Sequence, residues 1–341
     1  MANRFWVAST ETSWTSTSGW SSTNGGSSGA SVPGISDDVF FQQGSANCTI
    51  NDTQVSFRNM TINGWGGRFP TNAPIANFTM FCTGNVTVLG TSSPDPWDTH
   101  NQNHIIAFIG SNNNIITANS SNTTICGICT LDKANVRLND HTTIYFSHGA
   151  AFDIEGNSRF STGGFNLSVI GTPDANYLVN ISAANGAILL GTGNHIFQGN
   201  FWILGKSNVS FQSCNATIGH LIADMRFGST HGVEGRFVDL GNSSITFTDK
   251  DDTSDPEGNP FSIPQAALDI GTTTQPFSWR YGPNASIRFA NTEISDTPMS
   301  ICTGNNSLPD ITISVPSLFQ LANTVNAINI RSITLEANTK F

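Results

Sequence analysis

The stretch Asn85-Val86-Thr87-Val88-Leu89-Gly90 carries the pattern that decides the fold. It places an asparagine, an apolar residue, a small polar residue and a second apolar residue before a turn. Alternation of apolar and small polar side chains is typical of a β-strand with one buried face. The same phrase begins at Asn77, Asn166, Asn208 and Asn284. Strand-like units of this kind follow one another at intervals of roughly 8–12 residues, with turn residues between them.

Repetition of one unit over about 200 residues favours a solenoid, in which each coil buries its inner face against its neighbours. A β-sandwich has 7–9 strands joined by more varied connections. The sequence therefore predicts an all-β protein with a parallel β-helix, or β-solenoid. An antiparallel β-sandwich or jelly roll is the alternative. Asparagine is expected at the corners of the coils, because it tolerates the left-handed conformation and forms ladders of stacked side chains.

The composition excludes several classes of protein. Only 11% of the residues are charged, against about 25% in a typical soluble domain. Helix surfaces are rich in Glu, Lys, Arg and Gln, so an ordinary helical enzyme is not expected. The net charge of −10 and the lack of a basic run disfavour binding to nucleic acid or to an anionic membrane surface. No apolar run approaches the 18 residues of a membrane span.

The sequence divides into three predicted segments. Residues 1–45 are expected to form an N-terminal cap or attachment segment. Their Ser-, Thr- and Gly-rich composition would suggest a flexible linker, but Trp14 and Trp20 are large apolar side chains that are expected to be packed. Residues 46–250 are expected to form the solenoid body. Residues 251–341 contain more proline, which interrupts β-ladders, and are expected to form a C-terminal β portion.

The opening of the chain resembles a known family. The residues that carry the resemblance are Phe5-Trp6-Val7, Trp14, Trp20-Ser21, Gly25-Gly26, Ser31-Val32-Pro33 and Asp37-Asp38-Val39-Phe40-Phe41. They resemble the start of repeat-rich β-solenoid proteins, which include structural and fibre proteins of tailed bacteriophages and related bacterial surface proteins. The resemblance covers residues 1–41 and departs from the family pattern at residues 8–13. It implies a scaffold and transfers no catalytic residue.

The resemblance implies a non-enzymatic structural or adhesive protein of a bacteriophage virion, such as a fibre, spike or decoration subunit. We expect a homotrimer that joins other virion proteins through residues 1–45 and attaches to glycans of the host surface. Residues 1–7 show no secretory signal, which a virion protein released by lysis does not need. The alternatives are a bacterial surface adhesin or extracellular filament subunit, and a tailspike-like β-helix enzyme that degrades polysaccharides.

An enzyme of that kind would need paired carboxylates. Inverting hydrolysis uses an acid and a base about 6.5–9.5 Å apart, a separation that adjacent coils provide. The candidates are Asp224, Glu234 and Asp239. The competing interpretation of these residues is a set of ordinary ion pairs at the corners of the coils.

Three other groups of residues suggest ligand binding. Trp65 and Trp97 lie in Gly- or Pro-flanked segments. Exposed indole rings would stack on sugars, and the competing interpretation is plain packing of both rings over the solenoid. Calcium prefers six to eight oxygen ligands, and an acidic loop offers the carboxylates Asp249, Asp251, Asp255 and Glu257. No cofactor is expected, and a structural calcium ion at this loop is the alternative to a solvated acidic turn. The pair Cys126 and Cys129 lacks the second half of a zinc motif, so both are expected to pack as small apolar residues.

Overall fold

The structure of the chain is a computed structural model. It describes residues 1–50, 54–70, 78–90, 96–97, 104–118, 124–146, 150–171, 178–181, 186–203, 208–222, 237–248, 268–269, 278–290, 299–302, 307–315, 319–321, 329–336 and 339. These residues form β-strands and one 3₁₀ turn at Thr17–Gly19, with no α-helix. Successive strands lie parallel and in register. The predicted β-solenoid is confirmed, and the antiparallel alternative is not observed in the described residues.

The chain divides into two compact units, Met1–Tyr177 and Leu178–Phe341. The first unit contains the strands β1 Asn3–Trp6, β2 Thr12–Ser13, β3 Trp20–Ser21, β4 Asp38–Gln42, β5 Cys48–Thr49, β6 Gln54–Phe57, β7 Asn59–Asn63, β8 Phe78–Cys82, β9 Val86–Val88, β10 His104–Phe108, β11 Asn113–Ala118, β12 Thr124–Ile125, β13 Gly127–Thr130, β14 Asn135–Leu138, β15 Thr142–Phe146, β16 Ala150–Ile154, β17 Arg159–Ser161 and β18 Leu167–Gly171.

The second unit contains the strands β19 Leu178–Ile181, β20 Ala187–Leu189, β21 Asn194–Ile203, β22 Asn208–Ser210, β23 Asn215–Ile222, β24 Phe237–Asp239, β25 Ser244–Phe247, β26 Leu268–Asp269, β27 Ser278–Arg280, β28 Ser286–Ala290, β29 Met299–Cys302, β30 Leu308–Ser314, β31 Phe319–Leu321 and β32 Ile330–Leu335. Strands β26 to β32 belong to the predicted C-terminal β portion. They extend the parallel ladders of the preceding strands, because β26 pairs with β23 and β28 pairs with β25.

Parallel ladders run along each face of the first unit. One sheet has the order β3-β1-β4-β7-β9-β11-β14-β17. A second face carries the parallel ladder β6-β8-β10-β13-β16, and β2 pairs with β5 on a short third ladder. Successive coils therefore add parallel strands to the two long ladders. Residues of the first unit that are about 20 to 30 positions apart become neighbours, as Asn85 and Ile115 are, 30 positions apart.

Apolar columns fill the interior of the first unit. The side chains of Val39, Met60, Val86, Ile116 and Leu138 occupy one register position on five neighbouring strands. All five are buried. The alternation seen in the sequence places every second residue of a strand in such a column, which is why the repeated phrase decides the fold.

Aromatic side chains close the N-terminal end of the first unit. Strand β3 pairs antiparallel with β1, so it terminates the parallel ladder. Trp20 belongs to β3, and its buried ring packs on the buried rings of Trp6 and Trp14, with centroids 5.0 Å apart in both pairs. The Nε1 groups of Trp6 and Trp20 donate hydrogen bonds to the carbonyl oxygens of Ala46 and Trp14, at 2.8 and 2.7 Å. The predicted docking of these tryptophans is confirmed.

The interior of the second unit is built in the same way. Ile218, Phe247, Phe289 and Ile313 share one register position and are buried. The rings of Phe247 and Phe289 stack with their centroids 5.4 Å apart. The next member of the column is Leu335 on β32, and that side chain is 54% exposed. The column therefore reaches the surface at the last described strand.

Left-handed residues turn the corners of the coils, but asparagine is not among them. The described non-glycine residues with positive φ are Asp132, Lys133 and Gln212. Gly241 follows Gln212 one coil later with φ of 55°, and a Cβ there would collide with the backbone of Gln212. The prediction that asparagine supplies the left-handed corners is wrong for the described residues, because close stacking of corners favours glycine.

No helix in the described part of the chain has the length and apolar character needed to cross a membrane.

The buried side chain of Phe41 on β4 gives a test of the fold. Its ring is buried, with its centroid 4.7 to 6.0 Å from those of Trp65, Phe69, Trp20, Trp14 and Trp6. The substitution Phe41→Ala should lower the free energy of unfolding by about 3–5 kcal/mol, because it leaves a cavity in a packed core. Chemical denaturation measures the loss.

The matched control is Phe40→Ala, one residue away on the outer face, where Phe40 stacks on Phe5 at 4.7 Å. It should cost only about 1 kcal/mol. Equal losses for the two variants would show that the strand does not alternate between core and surface as described.

Candidate functional site

Polar side chains on the outer face of the first unit are used to join coils. The Nδ2 group of Asn59 donates to Oδ1 of Asp38 at 2.7 Å, and Oδ1 of Asn59 accepts from the backbone N–H of Asn85 at 2.7 Å. Oδ1 of Asn85 then accepts from the backbone N–H of Ile115 at 2.8 Å. A direct contact of the predicted kind joins Asn135 and Asn113, where Nδ2 of Asn135 donates to Oδ1 of Asn113 at 2.7 Å. These side chains bond mainly to the backbone of the next coil, and they have a structural role.

Ion pairs continue this pattern. The guanidinium of Arg58 pairs with the carboxylate of Asp38, and that of Arg331 pairs with Asp310 at 2.8 Å. The bonds from Arg331 and Ser332 lower the pKa of Asp310 to about 2. Burial opposes ionisation of Asp38, but the bonds from Arg58 and Asn59 outweigh it and lower its pKa. Both carboxylates are therefore ionised at neutral pH, and each is paired with an arginine side chain.

The predicted glycan platform is not formed by the tryptophans assigned to it. Trp65 and Trp97 are each 0% exposed. Trp65 packs on Phe69 with ring centroids 4.7 Å apart, and Phe69 stacks on Trp97 at 5.2 Å. The prediction that these rings are exposed is wrong, and a sugar would have no open ring face to stack on.

Gly67, one of the glycines that suggested an exposed loop, instead makes room for the buried ring of Trp65. A Cβ atom at Gly67 would lie 2.6 Å from the indole ring of Trp65. The glycine is therefore needed for the ring to lie across the backbone. Sequence alone does not distinguish a glycine that opens a loop from one that makes room for a buried ring.

Of the three candidate catalytic carboxylates, the structure describes Asp239. It ends β24 and pairs with the guanidinium of Arg280 at 2.5 Å, while its Oδ1 accepts from the backbone N–H of Gly241 at 2.9 Å. Burial raises the pKa of Asp239, but the two bonds outweigh burial and hold it below its usual value. A general acid at neutral pH needs a raised pKa, so this geometry suits an ion pair between coils.

The remaining predicted site residues lie outside the described residues. They are Asp224 and Glu234 of the catalytic set, and Asp249, Asp251, Asp255 and Glu257 of the calcium loop. The catalytic grouping and the calcium site therefore stay predictions.

The buried histidine of the second unit does not offer a proton-transfer group. Nε2 of His195 donates to the carbonyl oxygen of Leu190 at 2.7 Å. Burial lowers the pKa of His195 to about 4 despite that hydrogen bond. The ring is therefore neutral at pH 7, and its role is to satisfy a backbone carbonyl inside the core.

The cysteines divide into two groups. Cys48, Cys82, Cys126 and Cys214 are buried and form no disulfide. Burial raises the pKa of Cys82 to about 12 and that of Cys214 to about 11, so these thiols remain protonated. They pack as small apolar side chains, as predicted for Cys126.

Cys129 differs from that prediction, because it lies on the outer side of β13 and is only partly buried. Its register partner on β16 is Asp153, and Glu155 follows two residues later. The thiol and the two carboxylates have ligand atoms that all lie within 4.8 Å of one another. Among the described residues, this is the one group of three such side chains close enough to share a metal ion.

Burial and the charges of Asp153 and Glu155 raise the pKa of the Cys129 thiol far above its usual value. Cys129 and Asp153 occupy equivalent outward positions of two strand units. Pairing them requires the register between coils, and the uneven lengths of the connections hide that register in the sequence.

The comparisons with known proteins identify no relative. No protein-family model matches the chain, and no curated protein or solved structure matches it. The observations that bear on function are the fold, the geometry of the described residues and the resemblance of residues 1–41.

The ion pair of Asp239 predicts a pH dependence. Because the folded-state pKa is lowered, the pair stabilises the protein above the unfolded-state pKa of about 3.9, and this stabilisation is lost as the pH falls through the folded-state value. The variant Asp239→Asn should be less stable than the wild type by on the order of 1 kcal/mol at pH 6–7. The difference should close as the pH falls through the lowered folded-state pKa of Asp239.

Thermal unfolding of both proteins between pH 7 and pH 3 measures this difference. The matched control is Asp132→Asn, which removes the same charge from an exposed turn and should show no comparable gap at pH 7. A gap for Asp239→Asn that persists unchanged at low pH would contradict an electrostatic role for the pair.

Proposed function

We propose that this chain is a non-enzymatic structural subunit of a bacteriophage virion, a fibre, spike or decoration protein, and that it assembles as a homotrimer. The observation that carries the proposal is the open end of the second unit. The first described strands are covered by buried aromatic side chains, whereas the last described strand leaves apolar side chains exposed. An exposed apolar strand of this kind is expected of a subunit that assembles with other copies.

The open end is formed by strand β32. Ile333 and Leu335 continue the buried positions of Ile311 and Ile313, but they are 48% and 54% exposed. Within the described residues, β32 has a strand partner on one side only, which is β30. An apolar strand with an unpaired edge favours association with another strand.

A second copy of the chain is a suitable partner for this surface. The apolar residues Ile333 and Leu335 alternate with the polar Ser332 and Thr334, so copies that meet at β32 would bury the first pair and leave the second in water. The charged neighbours Arg331 and Glu336 are already paired with Asp310 and Arg288. Association would therefore not bury an unpaired charge.

Support for a virion comes from the sequence. Residues 1–41 resemble the opening of phage structural and fibre proteins, and the aromatic cap lies within them. The polar side chains described on the outer face join one coil to the next, as suits a rigid scaffold. The proposed attachment through residues 1–45 and the proposed host-surface glycan depend on the resemblance.

The two alternative functions lack a specific supporting observation. A bacterial surface adhesin or filament subunit would use the same fold. A polysaccharide-degrading enzyme would need a free pair of carboxylates, and Asp239, the described member of the predicted set, is engaged by Arg280.

The native mass of the purified full chain tests the proposal. Light scattering should give three chain masses for the wild type. The double substitution Ile333→Asp and Leu335→Asp should shift the mass to one chain, because it places two charges on the proposed contact.

The matched control is Ile196→Asp, which changes another exposed isoleucine of the second unit, 46% exposed, and should leave the trimer intact. Circular dichroism of each variant shows that it remains folded. A wild-type protein that is monomeric at every concentration tested would overturn the proposal, as would a double variant with an unchanged mass.

A further inference from the structure

We propose that Cys129, Asp153 and Glu155 form a binding site for a thiophilic divalent metal ion of the zinc class on the outer face of the first unit. The site is independent of the assembly proposed above. It rests on the position of three donor atoms of two chemical kinds, which the solenoid brings together from two successive coils.

The backbone fixes these three residues. Cys129 and Asp153 are register partners on the parallel strands β13 and β16, which lie about 4.8 Å apart. The backbone N–H of Glu155 donates to the carbonyl oxygen of Thr130 at 2.9 Å, so the ladder continues to Glu155. Ile128, which precedes Cys129, and Ile154, which lies between Asp153 and Glu155, are buried. Because side chains alternate along a strand, Cys129, Asp153 and Glu155 point outward.

The spacing of the donor atoms fits one ion. Zinc binds thiolate sulfur at about 2.3 Å and carboxylate oxygen at about 2.0–2.2 Å, so donors around it are separated by roughly 3–4 Å. The ligand atoms here lie within 4.8 Å of one another. Binding an ion requires rotations of the Glu155 and Asp153 side chains that close the remaining distance.

The chemistry of the donors selects the class of metal. A thiolate with two carboxylates suits zinc, or cobalt and cadmium as its substitutes. Calcium and magnesium prefer six or more oxygen ligands, and this group offers one sulfur and two carboxylates. Water completes the coordination on the solvent side.

Binding has a defined proton balance. The Cys129 thiol loses its proton to solvent when the metal–sulfur bond forms, since the ligand is the thiolate. One proton is released for each ion bound. The ion also removes the repulsion between the two carboxylates, which the solenoid holds side by side.

Cobalt(II) titration of the purified full chain tests the site. A thiolate-to-cobalt charge-transfer band in the near ultraviolet should appear and saturate at one ion per chain, and zinc should abolish it. The substitution Cys129→Ser should remove the band, and Asp153→Asn or Glu155→Gln should weaken cobalt binding at least about tenfold. The melting temperature of the wild type should rise with zinc.

The control is Asp132→Asn, which removes a carboxylate from the turn after β13 and should bind cobalt like the wild type. Melting of each variant without metal verifies its fold, because the three side chains lie outside the core. Cobalt binding that lacks the charge-transfer band, or that survives Cys129→Ser unchanged, would show adventitious binding only and overturn the proposal. The absence of any cobalt binding by the folded wild type would also overturn the proposal.

Discussion

The in-register parallel ladder between successive coils is the constraint on which the rest of the structure depends. It places chemically similar side chains above one another, so that Val39, Met60 and Val86 form one buried column and Asn59 and Asn85 one polar ladder. A slip of one residue would exchange the two faces and bury the polar groups. The low content of charged residues follows from this geometry, because stacked like charges repel.

The same constraint explains how the ends differ. A parallel ladder has an open edge at each end, which has to be covered or paired. In the first unit, the antiparallel strand β3 and the buried tryptophans Trp6, Trp14 and Trp20 cover the edge. In the second unit, Ile333 and Leu335 continue the buried columns and remain exposed. The proposed contact between copies would use this exposed apolar strand.

Much of the fold could be predicted from local patterns, since strand alternation and burial of Trp14 and Trp20 need only neighbouring residues. The sites could not. Trp65 and Trp97 resemble surface loop residues until Phe69 is placed between them. In the sequence, Asp239 resembles a catalytic carboxylate. Only the fold shows that it pairs with Arg280, which lies 41 residues further along the chain. Such pairs depend on the length of each coil. Register partners on neighbouring strands lie 20 residues apart at Met299 and Phe319 but 47 residues apart at Leu221 and Leu268, and this variation leaves no mark in the local sequence.

The distance between spin labels at Thr61→Cys and Thr117→Cys tests the ladder most directly, in a Cys129→Ser background that removes the partly exposed thiol. Thr61, Thr87 and Thr117 share one outward register position, so the labelled backbone positions lie two ladder steps, or about 10 Å, apart. Strong dipolar broadening in the doubly labelled protein, absent from each single variant, is the predicted result. A spectrum equal to the sum of the single variants would contradict the solenoid register.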